Sequence, residues 1–318
     1  MFVEEVAVDH DELVLMRDVS VDFHVDGKSK VEIANERQLS RFRVARLLNT
    51  ARELGIVRIS IALPEDTEED LSEPLTEALG VPVIIAPSHS EPQQRRDLLA
   101  RTLARAVRER VTEGMTVGIS WSRTIESAAR YLDRLPPCDV VQLVGAQPVE
   151  GSGDSLELIQ HFKALPGVRT WPIWAPLTVR DATTAAGLRA QPQIAEALAR
   201  ADSLDLAVVA IGGWTPQAST VYPTLSPADR AAIEAHEVAG ECSGRLFDAD
   251  GRELHAPLEE RVVAVTLDQL RRTPTVVACG FGRATARAVR AGVRGGFVGV
   301  LVLDTECARA LAELTGIL

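Results

Sequence analysis

The chain is expected to be an α/β protein with a short helix-turn-helix near its start and a large domain on a mostly parallel sheet. Three observations lead there. Beyond residue 59, short β-branched runs alternate with stretches whose apolar residues recur at helical spacing, the signature of strand–helix–strand units. Before that point lie two short helical patterns, each opened by a capping serine. The 318 residues are 46% hydrophobic and 25% charged, long and apolar enough for about two folded domains.

The composition also excludes several classes. No run of about 18 apolar residues is present, so no membrane-spanning helix and no membrane partner are expected. Met1-Phe-Val-Glu-Glu lacks the basic and apolar regions of a secretory signal, which points to a cytoplasmic protein. Cys138, Cys242, Cys279 and Cys307 show no metal-type spacing and read as buried, reduced thiols. Only Lys28, Lys30 and Lys163 are available for any lysine-based chemistry. The net charge of −11 argues against nucleic acid until it is divided along the chain. Residues 1–27 carry −7, residues 28–58 carry +5 from eight basic and three acidic side chains, and the rest carries −9.

The elements of the basic segment follow in order. Leu13, Val14, Met16, Val19 and Phe23 suggest a supporting first helix. Ser29 can cap the next, with Glu32 completing a capping box and Ile33 and Ala34 facing inward. After a turn at Gln38-Leu39, Ser40 caps a second helix whose Val44, Leu47, Leu48 and Ala51 share one face, and Gly55 stops it. Arg41, Arg43, Arg46 and Asn49 fall largely outside that face, where they could reach base edges in a major groove. The candidate DNA-contacting residues are Ser29, Lys30, Gln38, Ser40, Arg41, Arg43, Arg46 and Asn49. A solvated helix face, or a dimerisation or protein-binding element, is the alternative.

The domains are expected over residues 1–58 and 59–318. In the second, strands are expected at 58–62, 83–86, 116–119, 140–144, 206–211, 262–265, 275–278 and 298–303. Helices are expected at 71–79, 93–112, 124–132, 191–201, 227–235, 283–291 and 305–314. Ligands of open α/β sheets bind at the carboxyl ends of strands, so the loops there are the place to look. Gly118-Ile-Ser-Trp-Ser-Arg-Thr124 leads from strand to helix with hydroxyls beside backbone N–H groups, an anion-site composition; the alternative is that Thr124 only caps the helix. Gln142 is a polar residue within an apolar strand that ends at Gly145. The run 206–211 ends at Gly212-Gly213, which permits close backbone approach.

These segments carry a family resemblance. Ser29 to Leu48 and on to Ile59, together with Gly118-Ile-Ser-Trp-Ser-Arg-Thr, Val140-Val-Gln-Leu-Val-Gly, Ala175-Pro-Leu, Ile211-Gly-Gly, Gly240-Glu-Cys-Ser-Gly-Arg-Leu-Phe-Asp-Ala-Asp-Gly and Arg294-Gly-Gly-Phe-Val-Gly-Val-Leu-Val-Leu-Asp304, resemble successive motifs of SorC-type (SorC/DeoR) sugar-responsive transcriptional regulators. The resemblance implies a Rossmann-like effector domain related to ribose-5-phosphate isomerase and glucosamine-6-phosphate deaminase. It also implies a sugar or phosphosugar effector acting allosterically, and a homo-oligomer, a tetramer, on operator DNA near carbohydrate-metabolism genes. The effector residues it implies are Ser120, Trp121, Ser122, Arg123, Thr124, Gln142, Gly145, Gly212, Glu241, Arg283 and Thr285.

The chain departs from the family pattern in four places. Arg37-Gln38 stands for Leu-Gly in the turn, Ser122 for Gly, Glu241 for Asp, and Thr285 for a Lys. Thr carries no fixed charge, so either Arg283 or Arg287 pairs a phosphate instead, or the effector is an unphosphorylated sugar held by Glu241, Gln142 and hydroxyl groups. An isomerase would need a carboxylate base. Of Glu241, Asp248 and Asp304, the last two read as a turn and a helix cap, and the six histidines show no metal or triad spacing. No catalytic residue, metal or cofactor is therefore expected.

Overall fold

A computed structural model describes residues 10–54, 56–57, 70–147, 155–234 and 236–318. The chain divides into two compact units, Met1–Asp66 and Thr67–Leu318. The boundary expected after residue 58, and the strand expected at 58–62, lie outside the described residues.

The first unit holds α1 (His10–His24), α2 (Lys30–Glu36) and α3 (Arg41–Glu53). Met16, Val19, Ile33, Val44, Leu47, Leu48 and Ala51 form its core. Ser29 and Glu32 make the capping box of α2, and the Ser40 hydroxyl accepts the Arg43 N–H at the start of α3. The turn between them keeps its tight geometry without glycine, because Gln38 takes φ +54°. Arg37, at a site the family fills with Leu, is held by Asp22 and Asp18 of α1, and Lys28 bridges Asp22 and Glu36. An ionic clamp thus ties α1 to the end of α2. The hydrogen-bonded cations keep the Asp22 carboxyl below its ordinary range, the Arg37 bond contributing most.

The second unit runs α4 (Ser72–Leu79), β1 (Val83–Ile85), α5 (Pro92–Arg108), β2 (Thr116–Ile119), α6 (Arg123–Ala129), β3 (Cys138–Gln142), α7 (Ser155–Lys163), β4 (Val168–Trp171), α8 (Ala182–Arg189), α9 (Pro192–Arg200), β5 (Leu206–Gly213), α10 (Pro227–Glu234), β6 (Gly240–Cys242), β7 (Arg245–Phe247), α11 (Leu267–Arg272), β8 (Thr275–Gly280), α12 (Ala286–Arg294), β9 (Val300–Leu303) and α13 (Thr305–Thr315). The strands lie in the order β1-β9-β8-β5-β2-β3-β4, all parallel, and the β6–β7 hairpin pairs antiparallel with the end of β5. Side chains alternate across β5. Leu206 and Val208 join one apolar cluster with Leu99 and Leu103 of α5, while Ala207 and Val209 join another with Val289 of α12 and Leu311 of α13. Helices therefore cover both faces, as parallel sheets require.

The run 262–265 is not a strand. Val262 and Ala264 make single antiparallel bridges to Thr178 and Val144, because no continuous strand edge faces them. The short elements α7, α8, α11, β4, β6 and β7 were not expected from the sequence. The chain leaves β2 for β3 and β4 on one side, and leaves β5 for β8 and β9 on the other. That reversal opens a crevice at the carboxyl ends of β2 and β5, where open sheets bind ligands.

Candidate functional site

The crevice holds a pocket open to solvent and lined by the loops at these strand ends. The loop after β2 supplies Ser120, Trp121, Ser122, Arg123 and Thr124. Gly145 follows β3, Gly212 ends β5, Glu241 comes from β6, and Thr285 from the turn after β8. Nine of the eleven effector residues expected from the sequence are brought together here.

The other two are corrections. Gln142 is buried and faces the protein: its amide donates to the Val144 carbonyl at 2.6 Å and to Ser155 Oγ at 3.0 Å, and its oxygen accepts the Ile173 N–H at 3.1 Å. It ties β3 to neighbouring segments, with both amide donors committed inside the protein, and it lines no part of the pocket. Arg283 lies outside the pocket, exposed and paired with Glu313 of α13. Arg287 is exposed on α12 and also lines no part of it.

The pocket has a cation that sequence reading missed. Arg96, in the second turn of α5, lines it half-buried. Its guanidinium stacks 3.8 Å from the Phe281 ring centroid and donates to Thr124 Oγ1 at 3.1 Å. Burial first, then the neighbouring Arg123 cation, lower it to about 10, still charged at neutral pH. The available signal was position: 96 is three, four and seven residues before Leu99, Ala100 and Leu103, so this arginine sits on the apolar face of its helix.

Thr124 is not the cap of α6. Ser122 is, its hydroxyl accepting the Ile125 N–H, which leaves the Thr124 hydroxyl facing Arg96. Thr285 back-bonds to the Phe281 carbonyl at 2.9 Å. Trp121 is 8% exposed, and its indole N–H has no partner among the described residues.

At the opposite pole sits Glu241. Its carboxylate accepts the Gly244 N–H at 3.2 Å and a bond from Ser219, yet burial raises it from 4.5 to about 7. The hairpin turn beside it holds Ser243 at φ +54°, with Ser243 Oγ donating to Ser120 Oγ. A Cβ at Gly212 would crowd both Glu241 Oε1, at 2.8 Å, and the Ala218 carbonyl, at 3.0 Å. Gly145 is required, because its Cβ would meet the Pro176 backbone at 2.6 Å. Arg245 fastens the hairpin from behind, donating to the Val265, Ala264 and Glu259 carbonyls and to the Glu259 carboxylate.

Asp304 caps α13 and also holds the Gly282 N–H and Arg95. Asp248 accepts the N–H groups of its own turn, from Asp250 and Arg252. All four cysteines are buried thiols. No group of three or more His, Cys, Asp or Glu side chains suited to a metal occurs among the described residues, and no helix among them is long and apolar enough to cross a membrane.

In the first unit, Ser29, Lys30, Gln38, Ser40, Arg41, Arg43, Arg46 and Asn49 are all exposed. Phe42, which sequence reading passed over, stands among these arginines 90% exposed.

The fold and pocket define a ligand-binding type of α/β domain preceded by a small three-helix unit. Residues 66–313 match the family described as "Putative sugar-binding domain", and the chain belongs to that family, as found in SorC/DeoR-type transcriptional regulators. The deoxyribonucleoside regulator of Bacillus subtilis (strain 168) is 26% identical over 293 residues, which span 90% of this chain and 93% of the relative. The sorbitol operon regulator of Klebsiella pneumoniae is 22% identical over 314 residues, 95% of this chain and 99% of that one. The crystal structure of full-length SorC from Klebsiella pneumoniae superposes with a TM-score of 0.75 at 21% identity, over 95% of this chain and 99% of that one. This last likeness is one of fold.

Proposed function

We propose that this protein is a DNA-binding transcriptional regulator of carbohydrate-metabolism genes, its operator binding controlled by a sugar or sugar-phosphate effector in the crevice of the large domain. One observation carries the reading. The same chain presents an exposed basic helix after a capped turn and holds a pocket with arginine and hydroxyl side chains at a sheet reversal, two sites suited to two different ligands. The relatives are named as regulators of sorbitol, erythritol and deoxyribonucleoside genes, which favours regulation over catalysis.

In this reading residues 1–58 bind DNA through Ser29, Lys30, Gln38, Ser40, Arg41, Arg43, Arg46 and Asn49. Phe42 adds an apolar surface suited to a thymine methyl. Residues 59–318 bind effector and assemble the protein, as a tetramer, so that paired helices meet paired half-sites. The large domain shares ancestry of fold with the sugar-phosphate isomerases and deaminases, without their chemistry. Effector binding shifts the protein between two arrangements with different affinity for DNA, which requires different effector affinity in each.

Mobility shift of the full-length protein on its own upstream DNA, with and without a panel of sugars and sugar phosphates, tests the reading. A retarded band altered by one of them is expected. No retardation at low salt, or turnover of a sugar phosphate, would overturn it.

A further inference from the structure

The crevice contains an unmatched cation. Arg96 and Arg123 both line the pocket, and neither is within ion-pair distance of a carboxylate among the described residues. The nearby buried carboxylate, Asp304, is already engaged by Arg95 at 2.7 Å and by two backbone N–H groups. The Arg96 side chain is nonetheless fixed, stacked on Phe281 and bonded to Thr124. A guanidinium held beside a second one and left without a counter-charge is placed for an anion that arrives from solution. A second feature lies beside it: Trp121 lines this pocket and its buried indole N–H has no acceptor among the described residues, and a buried donor without a partner is costly unless something supplies one. Thr285 cannot serve, since it is uncharged and its hydroxyl is committed to Phe281. Arg283 is on the surface with Glu313.

We propose that Arg96 is the anion-recognition residue of this pocket, so that the effector carries a phosphate group seated between Arg96, Arg123 and Thr124. The charge is supplied from α5, and it reaches the turn after β8 through Phe281. The planar guanidinium offers two parallel donors to two phosphate oxygens while its face stays on the ring. This deepens the effector reading and rests on it, but the anion is tested on the pocket alone, without DNA.

The experiment is isothermal titration of the full-length chain with inorganic phosphate, ribose 5-phosphate and ribose. Wild type is expected to bind phosphate, and to bind ribose 5-phosphate at least tenfold more tightly than ribose. Arg96→Gln should abolish that preference, Arg283→Ala should leave it unchanged, and adding Thr285→Lys to Arg96→Gln should restore part of it. A purely structural arginine would show no such rescue. If Arg96→Gln does not fold, Arg96→Lys, which keeps the charge but loses the flat face, must bind phosphate several-fold more weakly than wild type. The proposal is overturned if wild type does not bind phosphate, if ribose binds as tightly as its phosphate, or if a folded Arg96 variant keeps the preference. Failure to bind operator DNA would sink the regulator reading and leave the anion site standing.

Discussion

Glu241 shows how a single side chain is set by its surroundings. Below its ordinary value of 4.5 the folded and unfolded chains both hold its proton, and its burial has no pH-dependent cost. Between 4.5 and about 7 the unfolded chain releases the proton while the folded chain keeps it, so stability falls as pH rises; above about 7 the loss is constant. Glu241→Gln removes this titration and can still accept the Gly244 N–H. It is therefore expected to melt close to wild type at pH 4.5 and progressively higher at neutral and alkaline pH. The full difference is on the order of 3 kcal/mol, read from melting curves at several pH values. A constant difference across that range would show that the Glu241 carboxyl is not raised. The neighbouring Thr124→Ala leaves helix α6 capped by Ser122 but strips Arg96 of its hydroxyl partner. Weaker effector response with intact DNA binding is expected, measured by mobility shift across an effector titration.

At the scale of elements, two turns have opposite energetics. The turn between α2 and α3 holds Gln38 in the left-handed region, which costs a residue with a side chain about 1 kcal/mol. Gln38→Gly should relieve roughly that amount, less the extra freedom that glycine gives the unfolded chain, and slow amide exchange in α2 and α3. The β6–β7 hairpin is secured by Arg245, buried with Glu259. Arg245→Ala leaves that carboxylate buried without its partner, and a loss of about 3–5 kcal/mol is expected in denaturant melts. Because the hairpin carries Glu241, the same variant should also weaken effector binding.

What the sequence made legible at this scale was whatever depends on neighbours along the chain. The caps at Ser29 and Ser40 follow from local sequence, as do the spans of β2 and α13. The hairpin did not, because strands of three residues show too little alternation to be seen. Gln142 looked like a pocket residue because polarity inside an apolar strand is rare. Its partners, Ser155 and Ile173, come from segments 13 and 31 residues away, and only folding brings them to it. Arg96 was missed for the converse reason, since one charge on a long amphipathic helix reads as surface until the Phe281 turn is placed against it.

At the scale of the whole molecule the question is whether two sites on one chain can be separated. The net charge of −11 repels DNA, so approach is left to the +5 carried by residues 28–58 and to the exposed arginines of α3. Removing one cation that contacts a phosphate lowers the slope of log affinity against log salt by about 1, whereas removing one that reads a base leaves that slope nearly unchanged and costs about 1–3 kcal/mol at the cognate site. Arg43→Ala and Arg46→Ala are each expected to weaken operator binding about tenfold or more while effector titration of the large domain stays at the wild-type value. The salt slope then assigns each residue to backbone or base. Both variants can be measured by fluorescence anisotropy on labelled operator between 50 and 200 mM salt, roughly the range over which counterion release is resolved. Equal loss of effector and DNA binding in either variant would contradict the division of labour between the units, because α3 belongs to the first unit and the pocket is lined by residues of the second.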